Sequence, residues 1–547
     1  MMRSLLALAL VGCASRTTPP EDESAGIAPT PVDLIVRGEL RPGDGSTVDV
    51  VVNDGRIVSV LRPGLTQMQY SAQKTVEVPV ITAGFVDAHA HPYGLGRLDS
   101  QLVLTGIDTY AATLLAAENA PGTGWIVGRG WDQNDWSDAP EGGWPLATDL
   151  DAHSGDRPAA VRRVDGHAVW LNTAALDLSG ITKDTADPAG GRIVRDASGV
   201  PTGVLIDEAM SLVHPPEDAL PDRRLWMIRA FELMSEAGLT GAHAMGLSDA
   251  SLAVYTELAE SGEMPVRIWA YVEPESQAAE RLMATGPWSV GHLDVVGVKA
   301  FADGALGSRG AWLTDAYADD PGHFGTPIHA PADIQQWATA LHATGASMAV
   351  HSIGDRAVHH TVESFVAAHA AHADSQGTLR VEHAQLLRPE DRALMAEHGF
   401  IASMQPTHAT SDMPWAVDRV GAERLQWAYT WRTVLDAGIP MAFGSDFPVE
   451  SHRPALGLWS ATHRTDLAGL PEGGWTPGER VSEDEAILAF TRGAAVAVGN
   501  DELGVVRAGA PADLTLWSPA SDVPWTPVAT VVDGRVIFEA TSGAESE

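Results

Sequence analysis

Between residues 84 and 446 the chain repeats one pattern: a short apolar, β-rich run followed by a longer stretch with helical periodicity. Eight such runs stand out, at 84–89, 241–245, 266–272, 295–302, 347–351, 379–383, 401–405 and 440–446. Helical patterns fall between several of them, for example over 223–236 and 357–371. Eight strands with intervening helices indicate an α/β fold, a closed parallel (β/α)8 TIM barrel. Its working groups gather at the C-terminal ends of the strands.

Those ends carry metal-ligand residue types. His89 and His91 close the first run, two residues apart, so on a strand both imidazoles share a face and can reach one ion. Lys299 lies within the fourth run, and His351 ends the fifth, His383 the sixth and Asp446 the eighth. A lone His-x-His is a weak signal in a chain with 20 histidines, and its placement after a β-rich segment gives it weight. The chain has three lysines, Lys74, Lys183 and Lys299, and only Lys299 lies in a strongly apolar run.

The 547 residues exceed one small core and imply a large domain with accessory parts. Residues 31–80 and 499–547 read as short strands, with Asp54-Gly55 and Asp533-Gly534 as hairpin turns. They predict one small β-sandwich built from both chain ends around a barrel at 81–498. About 130 residues separate the first two barrel strands, more than an ordinary connection. They predict an inserted subdomain at about 105–235 beside the barrel mouth.

Several stretches, in order, carry a resemblance: Gly84-Phe85-Val86-Asp87-Ala88-His89-Ala90-His91, Gly128-Arg129-Gly130-Trp131-Asp132 and the run from Asp165 to Asn172. They continue with the run from Val298 to Arg309, that from His351 to Ala357, Glu382-His383-Ala384 and Gly444-Ser445-Asp446. The chain resembles the amidohydrolase superfamily, in particular its amidohydrolase 3 (YtcJ-like, N-substituted formamide deformylase-like) subgroup, over nearly its whole length.

The resemblance implies a site. His89 and His91 would hold a more buried metal, His351 and His383 a second one, and Asp446 would ligate the first and act as general acid/base. The cofactor implied is a divalent metal, zinc above all, one or two per chain. Lys299 sits where many relatives bridge two metals through an N6-carboxylated lysine; the bland alternative is a lysine paired with a carboxylate such as Asp303 in a one-metal site.

Weaker candidates for substrate contact are Trp131, Asp132, His167, Asp303 and Arg309. For His167 and Asn172 a structural polar pair is an equal reading. For Asp303 and Arg309 the alternative is an Arg–Asp pair tying the loop. His243 reads as a support for the ligands, and Trp136 and Trp312 as loop aromatics near the mouth.

The net charge of −37 argues against nucleic acid as a partner, because a phosphate backbone needs a basic surface. Residues 1–12 read as a signal peptide, Leu10-Val11-Gly12-Cys13 resembles a bacterial lipobox, and 13–30 as a tether. Cys13, the single cysteine, is then a lipidation site, giving an exported protein anchored to a bacterial membrane. The remaining partner expected is a small-molecule substrate, with a homodimer left open.

The function expected is a metal-dependent hydrolase cleaving an amide or other non-peptide C–N bond by attack of metal-bound hydroxide. Hydrolysis of esters, lactones or phosphoesters, deamination, lyase or isomerase chemistry, and ligand capture by a non-catalytic lipoprotein are the alternatives.

Overall fold

The computed structural model describes residues 29–540 except 121, 123, 141–142, 217–219, 521–522 and 524. The expected signal peptide, Cys13 and most of the tether lie outside the described residues. Among the described residues no helix is long and apolar enough to cross a membrane.

Eight parallel strands form the central barrel: Phe85–Ala90, Leu239–Leu247, Arg267–Val272, Leu293–Phe301, Ser347–Ser352, Leu379–His383, Ile401–Met404 and Met441–Phe443. Each pairs with the next in register order. Every residue of the first, fifth, sixth, seventh and eighth strands is buried. A parallel sheet is covered on both faces, so these strands are rich in apolar residues, and the charged ones they carry, such as Asp87, Arg380 and Glu382, are buried with partners.

The last strand meets the first beyond its regular part. The Asp446 amide donates to His89 O at 2.7 Å, and the His91 amide donates to Phe447 O at 2.8 Å. Gly444 permits that approach, since a Cβ there would lie 2.5 Å from the His89 nitrogen. Asp87 ties the same seam: its carboxylate accepts the amides of His89 (3.1 Å) and Ser445 (3.0 Å) and the Ser445 hydroxyl (2.6 Å).

The two chain ends meet in one seven-stranded sheet. In spatial order it runs Arg535–Glu539, Trp525–Val532, Leu514–Pro519, Tyr70–Ala83, Thr30–Leu40, Thr47–Asn53, Arg56–Leu61. Asp54 (φ 50°), Gly55 (φ 76°), Asp533 (φ 46°) and Gly534 (φ 71°) all take left-handed backbone, as two-residue hairpin turns require. The sheet is pinned to the barrel by Arg267, which pairs with Asp513 at 2.7 Å and with Asp533.

The insertion forms a six-stranded sheet of its own. Its order is Gly191–Arg195, Pro201–Asp207, Ala168–Leu171, Ala159–Arg163, Ile126–Trp131, Leu102–Val103. Its core holds Tyr110, Trp131, Trp136 and Trp170.

Candidate metal centre

Barrel strand ends deliver the ligand-type side chains to one place. Donor atoms of His89, His383 and Asp446 all lie within 4.8 Å of one another. His91 flanks this triangle, its Nε2 3.1 Å from Asp446 Oδ1. Lys299 flanks it from the fourth strand, with Nζ 3.1 Å from His89 Nε2. His383 (φ 68°), Ala384 (φ 44°) and Asp446 (φ 61°) hold left-handed backbone, costly for residues with a side chain and common where geometry serves a site.

The imidazoles are oriented from behind. His89 Nδ1 lies 2.6 Å from Glu382 Oε2, His91 Nδ1 3.1 Å from Met245 O, and His383 Nδ1 2.8 Å from Gln405 Oε1. With Nδ1 engaged, each Nε2 is left for the site, the arrangement typical of metal-bound histidines. Glu382 is itself anchored by the buried Arg380, whose Nε lies 2.8 Å away. Arg380 also donates to Tyr271 OH (3.1 Å), Ala88 O (2.7 Å) and Ser403 Oγ (3.0 Å), and lies 2.8 Å from His243 Nδ1. His243 thus supports the ligands from below, as expected.

The electrostatics suit a cation. Burial, reinforced by the Lys299 ammonium, lowers the His89 pKa to about 4, and burial also holds His351 and His383 well below the usual range. All three are neutral imidazoles near pH 7, the ligating form. Burial alone would raise Asp446, yet His89, His91 and His383 hold its carboxyl well below the usual range. Its Oδ1 is buried and, although 3.1 Å from His91 Nε2, makes no well-aligned hydrogen bond with a described residue, so it is an acceptor that a divalent cation would satisfy. The residues therefore fit a bound metal. Burial lowers Lys299 to about 8, against the upward pull of Glu382 and Asp446.

His351 stands apart from the tight triangle. Its ring packs 4.4 Å from that of His383, but its Nε2 lies 3.3 Å from Gly304 O and 3.7 Å from Asp303 Oδ1. The compact set thus draws one histidine from each of the two expected metal positions.

Of the weaker candidates, the structure brings His167 and Asp132 to the cavities at the site. His167 reaches over from the insertion, held by Asp207 at 2.7 Å, with its ring 4.8 Å from that of His351. Asp132 pairs with the buried Arg163 and lines the same space.

Trp131, Asp303 and Arg309 require correction as substrate contacts. Trp131 is fully buried in the insertion core, donating to Val161 O at 2.8 Å and packing on Trp136 and Trp170. It ends a strand, so its ring points into the sheet's core. Asp303 is buried and accepts the amides of Trp312 (2.8 Å), Ile353 (3.0 Å) and Gly354 (2.7 Å), which fixes the loop after strand four. Arg309 pairs with Asp319 at 2.9 Å, so it ties this loop through a partner other than Asp303. Asn172 caps the helix Thr173–Leu178, accepting the Ala175 amide at 3.0 Å, which is the structural reading.

Three cavities adjoin the centre. One of about 400 Å³ is lined by His89, His91, Lys299, His383, Asp446, Arg129 and Arg162. A second of about 270 Å³ is acidic, with Asp132, Asp135, Asp412 and Glu450. His408 lines it too, its Nε2 3.9 Å from Asp446 Oδ2. A third of about 470 Å³ shares Arg129 and Arg162 with the first. Sequence reasoning missed Arg129, Arg162 and His408. Arg129 stood inside a quoted stretch, whereas a lone His after strand seven offered no signal.

With this geometry in hand, comparison with known proteins is informative. An amidohydrolase family model matches residues 80–538. The Bacillus subtilis (strain 168) protein YtcJ is 33% identical over 526 residues, covering 91% of this chain and 97% of that one. An N-substituted formamide deformylase of Arthrobacter pascens is 27% identical, over 85% of this chain and 89% of that one. The crystal structure of an uncharacterized metal-dependent hydrolase from Pyrococcus furiosus superposes with a TM-score of 0.66 at 25% identity, covering 88% of this chain and 97% of that one. The family match spans the barrel, the insertion and the C-terminal strands of the terminal sheet, so the chain belongs to the amidohydrolase family.

Proposed function

We propose that this protein is a metal-dependent hydrolase of an amide or other non-peptide C–N bond. The observation that carries the proposal is the triangle of His89, His383 and Asp446, with both imidazoles oriented from behind and a carboxylate oxygen without a well-aligned hydrogen bond. A divalent cation, zinc above all, would supply Lewis acidity and bring the pKa of a bound water toward neutrality. Asp446, held ionised at a strand end, takes up a proton and returns it to the leaving nitrogen. His91 and an N6-carboxylated Lys299 would complete the ligand set. Lys299 is buried beside His89, and a neutral amine there can add CO2 and release a proton, giving an anionic two-oxygen ligand. The similarity to an N-substituted formamide deformylase makes small N-acyl compounds the substrates to try first.

The test is amine release from N-substituted formamides and acetamides, before and after chelation. Loss on chelation, recovery with Zn2+, and a fall of about 10²-fold or more in Asp446→Asn are expected. Turnover indifferent to chelation, or confined to esters, would overturn the proposal. Leu10-Val11-Gly12-Cys13 supports export and an acyl anchor, which Cys13→Ser should release from the membrane fraction.

A further inference from the structure

We propose that the arginine-lined chamber beside the candidate metal centre binds an oxyanion carried by the substrate, with Arg162 and Arg129 as its counter-charges. The inference rests on the hydrolase reading and names the substrate class within it: a molecule whose end remote from the cleaved bond bears a carboxylate or phosphoryl group.

The chamber is continuous with the site. Arg129, Arg162, Tyr93, Gly94 and Ser251 line both the cavity that holds His89, Lys299 and Asp446 and the adjoining one of about 470 Å³. Arg97 and Arg223, which have interactions of their own, also line the outer cavity. No Asp or Glu is among the described residues lining it, although the chain carries 72 of them and a net charge of −37. In so acidic a protein, Arg129 and Arg162 beside the centre give an anion a local positive charge to approach.

Adjacent arginines on one strand show what is unusual. Residues of Ala159–Arg163 alternate between faces, so Arg162 and Arg163 point to opposite sides. Arg163 is a structural arginine: buried, paired with Asp132 and with Asp165 at 2.6 Å, and bonded to Gln133 at 2.8 Å. Arg162 makes no ion pair and no hydrogen bond with any described residue. It is exposed to the chamber's solvent. Arg129 donates to Val164 O at 2.9 Å but likewise has no ion pair among the described residues. Its buried Nε lacks a hydrogen-bond partner.

Arg162 is exposed to the chamber and Arg129 half-buried, so both guanidinium groups are accessible to a ligand's anionic group. Guanidinium forks match the two oxygens of a carboxylate or phosphoryl group, so the ligand's charge and shape follow from the wall. The acidic cavity with Asp132, Asp135 and Glu450 also adjoins the centre and shares no lining residue with the outer arginine-lined cavity. The charge pattern therefore orients a polar substrate with its anionic end toward Arg162.

The experiment is isothermal titration calorimetry of the metal-loaded full chain with 3-phenylpropanoate, 3-phenylpropan-1-ol and phenylphosphonate. None has a hydrolysable bond, so the outcome is independent of which bond the enzyme cleaves. At least one anion should bind tenfold or more tighter than the alcohol, an advantage that weakens with salt. Arg162→Ala should remove most of that preference and leave alcohol binding unchanged, and Arg162→Lys should keep part of it. Preference for the carboxylate identifies a carboxylated substrate, and preference for phenylphosphonate a phosphorylated one; both support the proposal. Anion preference unchanged in Arg162→Ala and in Arg129→Ala would place the anion on the metal and overturn it. Equal binding of all three probes, or binding of none, would overturn it too. Should Arg162→Ala fail to fold, Arg162→Gln serves as the second variant. Anion binding that holds while no amide is turned over would refute the hydrolase reading alone.

Discussion

Replacing Glu382 with glutamine isolates the support behind the metal centre. Its carboxylate touches His89 Nδ1 at 2.6 Å and Arg380 Nε at 2.8 Å, with all three side chains buried. Burial alone would raise the Glu382 pKa, but Arg380 and the His89 bond hold it well below the carboxylate range. Glu382→Gln keeps the shape and removes the charge. Losing a carboxylate behind a ligating histidine costs about 10–100-fold in metal affinity. Arg380 keeps its bonds to Ala88, Ser403 and Tyr271 but loses its counter-ion, a change worth roughly 3–5 kcal/mol when one partner of a buried pair is removed. A chain of this length unfolds with an entropy on the order of 1 kcal/mol/K, so the midpoint should fall by roughly 3–5 °C. Competition against a chelating dye reads the affinity, and calorimetry reads the midpoint. A second substitution, Arg380→Met, should restore much of the stability without restoring metal affinity, because an apolar replacement removes the stranded charge. Unchanged Zn2+ affinity in Glu382→Gln would refute the orienting role, whatever happens to the melting temperature.

Other consequences follow from the same contacts. Trp131→Ala should destabilise the insertion by roughly 3–5 kcal/mol, since it empties a fully buried indole site, and leave the affinity for metal intact. Thermal unfolding checks the first and the dye assay the second; an undisturbed midpoint would return Trp131 to the pocket wall. At the junction of sheet and barrel, the hydrogen bond from His292, with Arg267 beside it, lowers Asp533 to about 2. A depressed carboxyl pKa stabilises the fold above the unfolded value of about 3.9 and loses that contribution as pH falls through the folded one. The stability gap between the native protein and Asp533→Asn should therefore narrow from about pH 4 toward 2, and a gap constant over that range in chemical unfolding would contradict the pairing.

The barrel was legible because parallel strands covered on both faces are rich in apolar and β-branched residues, as 295–298 is, and because ligand types lie at or near the ends of such runs. Asp54-Gly55 and Asp533-Gly534 marked their hairpins, since those residues tolerate left-handed backbone. The aromatic residues were not legible. A tryptophan near a predicted loop looks the same in sequence whether it lines a pocket or, like Trp131, fills a small core. Arginine is equally silent: Arg162 and Arg163 are neighbours of one type, and only the pairing of Arg163 with Asp132 and Asp165 separates a structural cation from a free one. His351 was placed correctly at its strand end, but the direction of its ring toward Gly304 depends on a loop that periodicity does not describe.

Metal content tests the central claim most directly, by plasma mass spectrometry on the native protein, Lys299→Ala and His383→Ala after reconstitution with Zn2+. One or two metals per chain in the native protein, with less in both variants, is the predicted result. No bound metal in the native protein would contradict it and leave the triangle of His89, His383 and Asp446 without a function.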